Sequence, residues 1–203
     1  MRSYRGVKAA DRLADRRGRL LEAGLDILGS DSGLSELTVR GVCALAGVTT
    51  RYFYESFTDK DAFAAAVYDW VIAELATGTQ AAVAAAPPRE QGRAGMASIV
   101  GVITRDSRRG RLLFDSTVSN PVIARKRVES IALFTSLLGE HVNSTLPAAG
   151  NDRIKAATHF VVGGVTQTIS AWLDGAVHLQ PDELVDQLAV MLDVLADPAL
   201  YRG

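Results

Sequence analysis

Cysteine is almost absent from the 203 residues: Cys43 stands alone, so no intrachain disulfide can form and no cysteine cluster can hold a metal. No apolar run follows the early basic residues Arg2, Arg5 and Lys8. That argues against a secretory leader and leaves the cytoplasm as the expected compartment. The longest charge-free stretch of interest, residues 156–173, carries Thr158, His159, Thr166, Gln167, Thr168, Ser170 and a Gly163-Gly164 pair. Such polarity excludes a membrane span and suits a buried helix that touches a partner. No convincing apolar–polar alternation marks a strand. Nor is there a Ser–His–Asp arrangement, a phosphate loop, a carboxylate pair in an apolar setting or a metal-ligand spacing. His141 and His159 are too isolated for a metal site. An enzyme and a cofactor are therefore not expected.

What is present is an ordinary globular composition, 48% hydrophobic and 22% charged, enough to build a sizeable core. The net charge of −1 conceals a gradient. Residues 1–19 carry seven basic side chains against Asp11 and Asp15, while residues 147–203 carry three against seven acids. A polyanionic partner is expected at the N-terminal end.

Helical periodicity dominates. Leu20, Ala23, Gly24, Ile27 and Leu28 form one stripe, broken by Gly29-Ser30-Asp31-Ser32-Gly33. Val39, Val42, Cys43 and Ala46 fall at i, i+3, i+4 and i+7. Thr38 is placed to cap that helix, Leu37 and Val42 to staple it, and Gly47 to end it in a left-handed turn. A second short helix is expected over about 49–57. Thr58-Asp59-Lys60-Asp61 reads as the capping box of a longer helix that reaches Pro87-Pro88. Further helices are expected over about 90–104, 106–114, 120–145, 151–175 and 181–196. The fold class is thus all-α: an N-terminal three-helix, helix-turn-helix domain (1–60) followed by a helical bundle (61–203).

Two short helices around a glycine turn, preceded by a longer one, form a helix-turn-helix pattern. The segment from Leu37 to Phe63 also resembles the DNA-binding signature of the TetR family of transcriptional regulators. The matching marks are Thr38-Val39, Ala46-Gly47-Val48-Thr49, Tyr54, Phe57, and Lys60 followed by an acid. Gly41 and Glu55 are less typical, and Phe53 and Phe63 stand where leucines are usual. The resemblance covers about residues 16–70.

It implies double-stranded operator DNA as partner. Thr50, Arg51 and Tyr52 in the first turn of the second short helix, with Arg40 from the first, are the expected base readers. Thr38, Thr49, Tyr54 and Lys60 stand where the family contacts phosphate. Glu55, close to phosphates, is expected to point away or to weaken binding slightly. Val39, Val42, Cys43, Ala46, Val48, Phe53 and Phe57 are expected in the core.

The resemblance further implies a C-terminal dimerisation and effector domain. Leu184, Leu188, Met191 and Leu195 share a stripe on the last helix, flanked by Val185, Ala189 and Leu192. So wide an apolar face favours an intersubunit contact with Phe160, Gly163 and Gly164 of the preceding helix. Trp70, Phe114, Phe134, His141, Gln167 and Trp172 are the candidate pocket residues for an effector that is more apolar or aromatic than highly charged. The expected function is a homodimeric repressor of a pseudo-palindromic operator, released by a small molecule. The alternative is a DNA-binding regulator or architectural protein without an effector.

Overall fold

The computed structural model describes residues 3–30, 37–115, 120–145 and 152–195, and every regular element among them is helical. In chain order these are α1 (Ser3–Leu28), α2 (Val39–Ala46), α3 (Thr50–Ser56), α4 (Lys60–Ala85), α5 (Gln91–Arg105), α6 (Ser107–Phe114), α7 (Pro121–Thr145), α8 (Asp152–Leu173) and α9 (Pro181–Leu195). A single 3-10 turn, Pro88–Glu90, precedes α5.

Short polar side chains set the boundaries. Thr38 Oγ1 accepts from the Gly41 amide at 3.1 Å, and Gly47 takes φ 64°, the left-handed stop expected of it. The cap of α4 is Asp59, not Thr58: its Oδ1 accepts from the amides of Asp61 and Ala62 at 2.9 and 2.7 Å. A carboxylate beside the positive helix end outcompetes the neighbouring hydroxyl. These bonds, that from Ala62 first, hold the Asp59 carboxyl below its usual pKa. Asp106 caps α6, and Asn120 caps α7 ahead of Pro121 at the first helical position.

One buried cluster runs from Leu20 and Phe53 through α4 to Leu184 and Leu188. At its N-terminal end Phe53, Phe57 and Phe63 stack with centroids 4.9–5.5 Å apart, locking α3 onto the start of α4. The phenylalanine swaps are thus accommodated as core.

Gly24 lets α1 and α4 approach closely. A Cβ there would lie 2.5 Å from Val67 Cγ2 and 2.6 Å from Phe63 Cζ. Gly24→Val should therefore destabilise the protein by about 2–3 kcal/mol through overpacking. Thermal denaturation checks this, and an unchanged Tm would mean that the α1–α4 contact is soft.

Two interface expectations fail for a geometric reason. Leu184 and Leu188 are 0% and 2% exposed, buried inside the protomer where α9 packs on α5. The apolar face of α9 is split, and its outward half is Val190, Met191 and Val194. Leu195 closes α9, but its side chain lies outside the described residues.

Candidate nucleic-acid interface and interior cavity

The Gly47 turn brings α2 and α3 together, and most of the expected DNA contacts are on the surface. Arg40, Thr50, Arg51, Thr49, Thr38, Tyr54 and Lys60 are all exposed. Thr49 precedes α3 without using its side chain as a cap, which leaves its hydroxyl uncommitted. Thr38 accepts through its oxygen and keeps its proton for a further acceptor. Lys60 is the first residue of α4; Asp59 already takes the amides of Asp61 and Ala62, so what Lys60 offers an anion is its exposed ammonium.

Tyr54 packs edge-on against Phe53 (centroids 5.4 Å apart) and is still 60% exposed, so packing and a free hydroxyl coexist. Tyr52 is less available than its position suggests. It is half-buried, with the Arg16 guanidinium 4.1 Å from its ring centroid. Arg17 lies over Phe57 in the same manner, at 4.7 Å. These two α1 arginines pin α3 and its C-cap by cation–π contact. In the sequence they stand out only as part of a basic segment, and their i, i+1 placement gives no sign of which rings they cover.

Glu55, the atypical residue of α3, accepts from Arg51 Nε at 3.0 Å. This exposed i,i+4 pair is worth little energetically, but it orients the guanidinium.

Beyond the helix-turn-helix, α4, α5, α7 and α8 enclose a cavity of about 480 Å³, within the range of small-molecule sites. Of the six expected pocket residues, Phe114, Phe134 and His141 line it and three do not. Trp70 lies on another face of α4, where its Nε1 donates to Glu74 and Arg109 covers its ring. Gln167 is exposed on α8. The Trp172 indole donates to the Leu179 carbonyl at 2.8 Å and secures the turn before α9.

Sequence reading missed the polar groups of the cavity: Tyr68, Thr79, Arg127 and Ser130. Tyr68 and Ser130 join their hydroxyls at 2.9 Å, and Ser130 also donates to the Arg127 carbonyl. Burial raises the Tyr68 pKa, and the Ser130 hydrogen bond opposes it. The Arg127 guanidinium donates to the carbonyls of Arg111 and Leu112 at 2.9–3.2 Å. Burial pulls its pKa down.

Helix α6 stands between the cavity and α1. Leu113 and Phe114 line the cavity, and the Phe114 carbonyl accepts from Ser170 at 2.9 Å. On the α1 side, Arg108 pairs with Asp26 and Glu22, and Arg111 donates to the Gly29 carbonyl.

No protein-family model matches the chain, and no curated protein matches it by sequence. Solved structures do. A protein from Rhodococcus sp. described as a TetR-family transcriptional regulator superposes with a TM-score of 0.72 at 15% identity, over 91% of this chain and 100% of its own. One from Syntrophomonas wolfei, described likewise, reaches 0.74 at 14% identity, over 90% and 95%. The regulator FadR of Bacillus subtilis, in complex with stearoyl-CoA, gives 0.66 at 15% identity, over 86% and 96%. At these identities the likeness establishes the fold: the chain has the all-helical architecture of TetR-family regulators.

Proposed function

We propose that the chain is a DNA-binding transcriptional regulator that reads a pseudo-palindromic operator as a homodimer and is released by a small molecule in the cavity. The observation that carries this reading is the helix-turn-helix of α2 and α3. Its exposed Thr50 and Arg51 open the second helix, with Lys60 and Thr49 nearby for phosphate. Residues 1–60 then form the reading head and residues 61–203 the effector and dimerisation unit.

The dimer is supported by surface that the protomer leaves uncovered. Phe160 is 69% exposed, the α9 residues Val190, Met191 and Val194 lie open, and a Cβ at Gly163 or Gly164 would meet nothing within 4 Å. A two-fold pairing through α8 and α9 would present two recognition helices about 34–36 Å apart, one turn of DNA. The cavity favours an effector-controlled regulator over an architectural protein, since a stable core has no need of so large a void.

The first test is anisotropy with DNA upstream of the protein's own reading frame, across a salt series. Saturable, sequence-selective binding at two protomers per site is expected; binding that is weak and erased by salt for every sequence would defeat the proposal. Lys60→Ala should weaken binding to all sequences alike and reduce the salt slope by about 1. Arg51→Ala should cost ~1–3 kcal/mol at one base position and relax specificity there. Identical behaviour of the two variants would refute this division of roles.

A further inference from the structure

The shape of the cavity restricts its occupant. Lining residues run from Tyr68 to Ala84 along α4 and from Arg127 to His141 along α7, starting side by side where Tyr68 meets Ser130. At 1.5 Å per residue each wall is about 21–24 Å long. A volume of about 480 Å³ drawn out along walls of that length makes the cavity elongated, a shape that suits a chain-like occupant. The exposed lining residues, Gln80, Ala84 and Glu140, all lie at the far end, which is therefore the mouth.

Two polar groups inside lack what they need. Arg127, at the closed end, donates to backbone carbonyls and, among the described residues, has no carboxylate within 4.0 Å. The α6 C-terminus supplies only about half a countercharge, and Asp115 acts on it from farther off. Eleven residues along α4 from Tyr68, or about 16 Å, Thr79 Oγ1 is buried with no hydrogen-bond partner among the described residues. An unpaired buried hydroxyl is costly, and an oxygen on a ligand would satisfy it.

We propose that the cavity takes a long-chain carboxylic acid with an oxygen function near mid-chain, its carboxylate seated at Arg127 and its chain oxygen at Thr79. This rests on reading the cavity as the effector site. The orientation is head-in. Glu140 at the mouth, with Asp193 close to Gly92, is a poor seat for a polyanionic head such as coenzyme A.

The test is displacement of diphenylhexatriene, a neutral rod-shaped fluorophore, from the full-length protein by four probes: oleic acid, ricinoleic acid (the same chain with one mid-chain hydroxyl), oleyl alcohol and oleoyl-coenzyme A. Oleic acid should bind at least tenfold tighter than the alcohol or the thioester. Ricinoleic acid should exceed oleic acid by about two- to tenfold, one hydrogen bond's worth.

Thr79→Val keeps the shape of the site and removes an unpaired hydroxyl, so it should fold normally and erase the preference for ricinoleic over oleic acid. Arg127→Gln should erase the preference for acid over alcohol and Arg127→Lys should keep part of it, with thermal denaturation confirming that both fold. Equal binding of acid and alcohol, or of oleic and ricinoleic acid, by the unmodified protein overturns the proposal. Uptake of the fluorophore without displacement by any acid overturns it while leaving the cavity as a binding site. If neither fluorophore nor acid binds, the effector reading falls with it.

Discussion

Phe160→Asp should abolish the proposed pairing of protomers while leaving each protomer folded. A phenylalanine that is 69% exposed in mid-helix contributes little to the protomer's own core, and Val190, Met191 and Val194 on α9 are likewise exposed. In a two-fold interface each residue occurs twice, so the substitution buries two carboxylates in an apolar contact. Sedimentation should report a single protomer, with helicity and Tm close to those of the parent measured at high dilution. Operator affinity should fall by a factor on the order of 10²–10⁴, because two half-site contacts that were linked become independent. Leu188→Asp cannot serve in its place. At 2% exposure Leu188 belongs to the α5–α9 core, and an aspartate there would unfold the bundle whatever the oligomeric state. A Phe160→Asp protein that still sediments as a dimer would place the interface on another face.

What could be read from the sequence was what is decided locally. Thr38 and Gly47 each act within four residues of themselves, and both behave in the structure as their neighbours imply. Asn120-Pro121 and Pro181 mark the starts of α7 and α9 for the same reason. Facing was much harder to read. Helix α4 is apolar around most of its circumference, so the sequence offers no direction by which to choose Tyr68 over Trp70. Two residues rotate a helix by about 200°, enough to move a side chain from the cavity to another face. In α9 a broad apolar stripe serves two surfaces, and only the position of α5 shows which half is internal. Arg127 escaped notice because a charged residue in the run Arg125-Lys126-Arg127 on α7 looks solvated. Its burial follows from carbonyls at the end of α6, fifteen and sixteen positions earlier in the chain.

Arg108→Ala should separate ligand binding from DNA release. Helix α6 touches the cavity through Leu113 and Phe114, and its last carbonyls are held by Arg127 and Ser170. Its opposite side grips α1 through Arg108, which bonds Asp26 and lies 3.6 Å from Glu22. An occupant that displaces Leu113 and Phe114 would therefore drag α1, and with it the rings pinned by Arg16 and Arg17. Allosteric couplings of this kind amount to ~1–3 kcal/mol, or about 5- to 150-fold in affinity.

In the variant, effector affinity for free protein should stay within about twofold, since Arg108 does not line the cavity, and on the order of 1 kcal/mol of stability is at stake in partly exposed pairs. The factor by which effector weakens operator binding should collapse toward one. A pH signature accompanies this. Hydrogen bonding by Arg108 holds the Asp106 carboxyl below its usual pKa. The stabilisation it gives is therefore full above the ordinary aspartate range and lost as pH falls through the depressed value, and the variant should show less of that acid-side loss. Asp26→Ala should reproduce the uncoupling, and the double variant should add little to either change. If Arg108→Ala remains fully responsive to effector, the signal does not pass through the α6–α1 contact, and α4, which reaches from Lys60 in the head to the cavity wall at Val83, becomes the element that carries it.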